Sequence, residues 1–175
     1  EGGNTNNDWW EWEKQQGLTS SGMACNHYEL YERHFDLVAR LHQNAHRFSL
    51  EWSRIEPSEG QWNSNAIEHY RQVLLALRAR GVEPFVTLHH FTNPLWLAKK
   101  GGWENSTVVS AFERYVEVGV RELGELVTYW VTLNEPLVSL LHGYILGIWP
   151  PGTRNVRKAA MVLWNMAKAH IRAYQ

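Results

Sequence analysis

The sequence predicts an α/β fold, an incomplete (β/α)8 barrel that holds three consecutive strands and their helices. Three observations lead there. Helical and strand patterns alternate along the chain with no linker, repeat or low-complexity tract. The strands end near positions 51, 90 and 135, so successive ends lie 39 and 45 residues apart. An eight-unit barrel of about 250 residues averages about 31 per unit, and the excess fits long loops after the strands. Finally, only three strands are readable, too few for a complete doubly wound sheet.

The elements follow in order. Asn26 to Leu41 reads as a helix, with Asn26 and Glu29 spaced as a capping box and Tyr31, Phe35, Val38 and Leu41 as its apolar stripe. Ala45 to Trp52 alternates strictly, placing Phe48, Leu50 and Trp52 on one face and Arg47, Ser49 and Glu51 on the other. Asn65 to Arg80 is a second helix, opened by Asn65 with Glu68, striped by Ile67, Tyr70, Leu74 and Leu77, and stopped by Gly81. Glu83 to His89 is a strand with Pro84 near its start. Ser106 or Thr107 is expected to cap a third helix that buries Phe112, Tyr115, Val116, Val120 and Leu123 and ends at Gly124. Thr128 to Leu133 is the third strand and Asn155 to Tyr174 the fourth helix.

Composition excludes several functions. The 175 residues are 44% hydrophobic and 20% charged, ordinary for a soluble globular domain. A net charge of −1 gives no electrostatic basis for binding nucleic acid or an anionic membrane. No apolar run approaches the ~18 residues of a membrane helix. The single cysteine, Cys25, has no internal partner, and neither CxxC nor HExxH occurs, so no disulfide, metal or cofactor is expected. The opening is polar and Gly/Asn-rich rather than a secretory leader, so a cytoplasmic location is expected. Both ends read as cuts: the first residues as the inside of a loop, the last as mid-helix. The 10 Trp are unusual. Indoles line sugar sites, because pyranose rings present flat apolar faces, but they equally fill cores.

Chemistry gathers where the strands end. Glu51-Trp52-Ser53-Arg54, His89-His90-Phe91-Thr92-Asn93 and Asn134-Glu135-Pro136 follow the three strands. In a parallel barrel those tips meet on one face, where active sites are built. A carboxylate, an imidazole, an amide and a guanidinium among indoles are able to bind hydroxyls and to protonate a leaving oxygen. Taken singly, each residue is equally explained as a solvated loop or capping group.

Taken together, the strings His46-Arg47-Phe48-Ser49-Leu50-Glu51-Trp52-Ser53-Arg54-Ile55, Thr87-Leu88-His89-His90-Phe91, Gly101-Gly102-Trp103 and Thr132-Leu133-Asn134-Glu135-Pro136 resemble glycoside hydrolase family 1. These are the β-glucosidases and β-galactosidases. The resemblance spans nearly the whole chain and implies about strands 2–4 of a TIM barrel, its opening string looking like the loop after the first strand. It implies that Glu135 is the acid/base catalyst, Asn134 the holder of the sugar 2-hydroxyl, and His90 a ligand of a −1 sugar hydroxyl. Arg47 would lie beneath the site and orient the nucleophilic carboxylate. Glu1 would directly follow the family's sugar-binding glutamine, which is missing here. The family often has Trp where Phe91 stands. Its nucleophile sits in a later Glu-Asn-Gly string; this chain has Glu104-Asn105-Ser106 instead, and Glu104 reads as a loop residue.

The implied partner is a β-glycoside or oligosaccharide, cleaved with retention, and the 175 residues alone are expected to be inactive. Two other readings stay open: a cellulase- or xylanase-like barrel, and a non-catalytic barrel part or sugar-binding protein. A 6-phospho-sugar specificity would depend on residues outside this segment. Asn105-Ser106-Thr107 matches a glycosylation sequon but reads better as a helix start. Trp9, Trp10 and Trp12 are expected to pack under their loop, Trp103 and Trp149 to wall the substrate, and His27, His142 and His170 to be structural.

Overall fold

The computed structural model describes residues 2–175. Three strands, β1 (Ala45–Ser49), β2 (Glu83–His89) and β3 (Tyr129–Leu133), form one sheet in the order β1-β2-β3, with both pairings parallel. Helix α4 (Ser64–Ala79) connects β1 to β2, and α6 (Val108–Leu123) connects β2 to β3. Helices α2 (His27–Arg40) and α8 (Val156–Tyr174) flank them in sequence. This is an open segment of a β/α barrel, not a closed one.

Register follows the pleat. Ala45 lies opposite Glu83 and His89 opposite Leu133, so β1 and β2 start level, β2 and β3 end level, and β1 stops at Ser49 opposite Thr87. On one face, Val86 and Leu88 of β2 are buried under α4, α6 and α8 in a core with Trp52, Leu74, Phe112, Tyr115, Val162 and Met166. Burying such side chains contributes about 1.5–3 kcal/mol each and explains why β2, at the centre, is the most enclosed strand. On the other face Phe85 stacks on Tyr129 with ring centroids 4.4 Å apart. Tyr129 is nonetheless 49% exposed, and Arg47 is exposed beside it. This face has no covering layer.

Several expected boundaries move, each for a local reason. The first strand stops at Ser49 rather than Trp52, because the Glu51 carboxylate accepts the Ser53 N–H and starts a helical turn, α3 (Trp52–Ile55). Asn26 does not cap α2: it sits at φ +52° and its side chain makes no capping bond. Helix α4 is capped by Asn63 instead of Asn65, accepting from the Asn65 and Ala66 N–H groups. Thr107 makes no side-chain cap for α6; the Asn105 side-chain Oδ1 accepts the Thr107 N–H at 3.1 Å. Val120 is 41% exposed, outside the stripe expected of it. The opening residues are not only loop. They form α1 (Asp8–Gln15), capped by Asn7, which accepts the Trp10 N–H at 2.9 Å. Two short helices, α5 (Leu95–Lys99) and α7 (Pro136–Leu140), follow the second and third strands.

Glu56 is the principal buried charge. It is fully enclosed and accepts from Trp52 Nε1, the Gly60 N–H and Arg114 Nη2, each at 2.7 Å. Replacing it orphans three donors at once, so Glu56→Leu is expected to destabilise by about 3–5 kcal/mol in urea unfolding. A loss under about 1 kcal/mol would refute this pinning role. The bare sheet face leads to a second expectation, since flat unpaired strand edges invite association. The 175-residue chain alone should elute from a sizing column as a mixture of associated species. A monodisperse monomer with a sharp melt would contradict it.

Candidate active site

The strand-end residues come together. Arg47 on β1 donates through Nε to Thr87 Oγ1 on β2 at 2.9 Å and through Nη2 to Asn134 Oδ1, just past β3, at 2.5 Å. Asn134 is buried, and its N–H extends the sheet by bonding the His89 carbonyl at 2.9 Å. His90, one residue past β2, is exposed and shares a 2.9 Å hydrogen bond between Nδ1 and Ser49 Oγ. Partial burial and the nearby Arg47 hold its pKa below the usual imidazole value, and the Glu135 carboxylate opposes them. Glu135 follows Asn134, exposed, at φ +42°, with Pro136 opening α7 directly after it. The left-handed turn lets the chain leave the strand and enter the helix within one residue. It leaves Glu135 exposed at the tip of β3.

Beside these residues runs a groove of ≈ 530 Å³, which Arg47, Ser49, Glu51, Arg54, His90 and Thr92 line together. Asn134 and Glu135 lie outside it. Glu1 lies outside the described residues. Among the described residues no group of three or more His, Cys, Asp or Glu is placed to hold a metal, and no helix is long and apolar enough to cross a membrane.

Some expected wall residues are elsewhere. Trp103 is core, 2% exposed, with its Nε1 donating to Asn93 Oδ1 at 2.9 Å. The Gly-Gly preceding it folds the loop inward. Trp149 is half-buried, edge-on to Trp9 at 5.2 Å, 5.2 Å from Phe91 and stacked on His142 at 4.4 Å. Trp12 packs against Gly152, where an added Cβ would come within 2.6 Å of its ring. Glu104 is committed to Lys158 at 2.7 Å, consistent with a structural loop carboxylate.

Two clusters were not legible beforehand. Glu51 accepts Thr92 Oγ1 at 2.7 Å and Ser53 Oγ at 2.6 Å, joining the first two strand tips. Asn93 accepts from Trp103, shares a 3.0 Å bond with His89 Nε2 and is gripped by Asp8. Their only sequence signal was polar residues near the tips. Asp8's carboxyl is pushed up to about 7, burial outweighing its bonds to Asn93. Burial drives His89 the other way, down to about 4, so it stays neutral.

The model of glycosyl hydrolase family 1 matches residues 2–175. The chain belongs to that family. A family 1 β-glucosidase A of Thermotoga maritima is 35% identical over 86% of this chain and 34% of its own length. A β-galactosidase of Pyrococcus woesei is 30% identical over 98% of this chain and 44% of its own. A solved β-glycosidase of Pyrococcus horikoshii superposes with a TM-score of 0.95 at 44% identity, covering 99% of this chain and 41% of that one. A solved T. maritima β-glucosidase in complex with cyclophellitol superposes at 0.83 with 35% identity, over 85% of this chain and 34% of that one. The segment thus spans well under half of the family 1 proteins it matches, and its three strands belong to the TIM barrel of those relatives.

The Asp8 carboxyl supplies a pH test. Its folded pKa of about 7 lies above its free value of 3.8. Between these values the folded state holds a proton the unfolded state has lost, so stability falls as pH rises through that window. Measured by urea unfolding from pH 4 to 8, the wild-type protein should lose ground to Asp8→Asn across that range. Parallel pH curves for the two proteins would exclude the raised pKa.

Proposed function

We propose that this segment supplies the acid/base half of a retaining β-glycosidase site, acting on β-linked glucose- or galactose-type residues. The observation that carries the reading is the Arg47–Asn134 bond with Glu135 next in the chain. It puts a carboxyl-bearing residue directly after a buried amide that a guanidinium holds. Family membership and the names of the β-glucosidase and β-galactosidase relatives support the substrate class, as does a relative solved with cyclophellitol.

In this reading Glu135 is protonated as the substrate arrives. It gives its proton to the glycosidic oxygen while a second carboxylate attacks the anomeric carbon, and the aglycone leaves as an alcohol. Glu135, now ionised, takes a proton from water, which attacks the same carbon and releases the sugar with its configuration retained. Asn134 donates to the 2-hydroxyl, a contact that strengthens in the oxocarbenium-like transition state. His90 binds a hydroxyl of the −1 sugar. Arg47 lies under the site and, through its charge, orients and keeps ionised the attacking carboxylate. That nucleophile comes from outside these 175 residues, about 5–5.5 Å from Glu135. Glu104, held by Lys158, does not serve.

Glu135→Gln in the complete natural polypeptide carrying this segment should lower kcat for an unactivated aryl β-glucoside by about 10²–10⁴-fold. With an aryl β-glucoside whose leaving group departs unprotonated, azide should restore turnover in Glu135→Gly by attacking the glycosyl-enzyme in place of the water that needs a base. Unchanged kcat in Glu135→Gln would end the assignment. The 175-residue chain alone should show no turnover; turnover that Glu135→Gln abolishes would disprove the missing-nucleophile reading.

A further inference from the structure

The loop that carries His90 is strained and tied down from far away in sequence. Phe91 sits at φ +72°, and the Thr92 N–H closes a three-residue turn onto the His90 carbonyl at 2.9 Å. A positive-φ turn of this kind is rare and costs a residue with a Cβ about 1–3 kcal/mol, so it persists only where its surroundings over-determine it. Two side chains do this here. Thr92 is held by the Glu51 carboxylate at 2.7 Å. Asn93 is held more firmly: its N–H donates to Asp8 Oδ1 at 2.9 Å and its Nδ2 to Asp8 Oδ2 at 2.7 Å. Asp8 returns its own N–H to the Asn93 carbonyl at 3.0 Å. Both carboxyl oxygens thus grip one residue, by main chain and side chain. The remaining acceptor of Asn93, Oδ1, meets His89 and Trp103, which locks its amide in one orientation.

We infer that Asp8 is a positioning residue for the tip of β2: its carboxylate clasps Asn93 and so holds the strained turn that aims His90 at Ser49 and the Phe91 ring at Trp149. The other contacts of α1 act beyond the turn. Asn7 pairs with Pro94, and Trp9 meets Trp149. They dock the helix, whereas Asp8 fixes the backbone two residues after Phe91. The consequence for sugar binding rests on the role given to His90 above; the clasp itself does not.

The test reads His90 directly, in the complete natural polypeptide labelled with ¹⁵N-histidine, its ring signals assigned by their loss in His90→Gln. The groups facing that ring are Ser49, Arg47 and Glu135, and Glu51 reaches its loop through Thr92. Asp8→Ala and the milder Asp8→Asn should both release the ring from Ser49 and move its titration midpoint toward the free value, by ~0.3 unit or more. The exchanged pair Asp8→Asn with Asn93→Asp still allows both bonds, the amide now on helix α1, and should return the midpoint to its wild-type position. Unaltered His90 signals in Asp8→Asn, or no rescue by the exchange, would overturn the inference even if the melting temperature falls. Turnover of an aryl β-glucoside is followed on the same samples. A wild-type protein without turnover counts against the glycosidase reading, while the NMR arm still decides the clasp.

Discussion

Arg47 is anchored on β1, donates to Thr87 on β2 and reaches Asn134 beyond β3, so one guanidinium spans the whole sheet at the level of the candidate site. A lysine could not do this, because two donors must leave one planar group in fixed directions. The bridge sets the relative height of the three strand tips and therefore the distances among His90, Asn134 and Glu135. Its charge stays on the open face of the sheet, where partial solvation limits the desolvation cost that a buried ion would meet. Packing on the opposite face, around Val86 and Leu88, supplies the stability against which this polar bridge is built.

Backbone strain recurs at two of the same tips. Phe91 and Glu135 both occupy the left-handed region, each in the first two residues after a strand ends. A continued strand would send the next side chains alternately to the core and to the open face. A sharp turn instead lifts one side chain out at the rim. The strained residues are stabilised from outside themselves, Phe91 by the bonds of Thr92 and Asn93, Glu135 by the helix that starts on its carbonyl, which accepts the Val138 N–H at 3.0 Å. The chemistry-bearing groups are thus set at positions that local preference alone would not hold.

How much of this could be read from the sequence depended on whether the signal was periodic. β2 was legible to the residue, because Glu83-Pro84-Phe85-Val86-Thr87-Leu88-His89 is β-rich and bounded by a glycine before and a polar turn after. Helices α4 and α8 were legible within a residue or two for the same reason. Arg47, His90, Asn134 and Glu135 stood out because they lie on or just past the strands in strings that resemble the family's. What escaped was aperiodic. Helix α1 carries three Trp in its first five residues and shows no buried stripe. The Asp8–Asn93 contact joins residues 85 apart, which no local pattern encodes. The caps of α4 and α6 were misassigned by one or two residues because Asn63, Asn65 and Asn105 are equally good candidates on paper. Only the backbone angle decides which side chain faces the free N–H groups.

The tryptophans show why composition points to a function without locating it. The indole N–H decides how each ring is used. Trp52, Trp96 and Trp103 donate it to Glu56 Oε2, the Glu56 carbonyl and Asn93 Oδ1, so these rings are pins inside the framework. The two loop tryptophans thus separate: Trp103 goes inward because Asn93 offers an acceptor there. Trp149 remains at the rim, packed by its faces and edges against Trp9, Phe91 and His142. A ring held by other rings and left half-buried keeps part of its apolar surface open. A ring pinned by its N–H in the core does not. The surplus of indoles therefore has two origins, and the hydrogen-bond partner of each, rather than the count, distinguishes pinned rings from ring-packed ones.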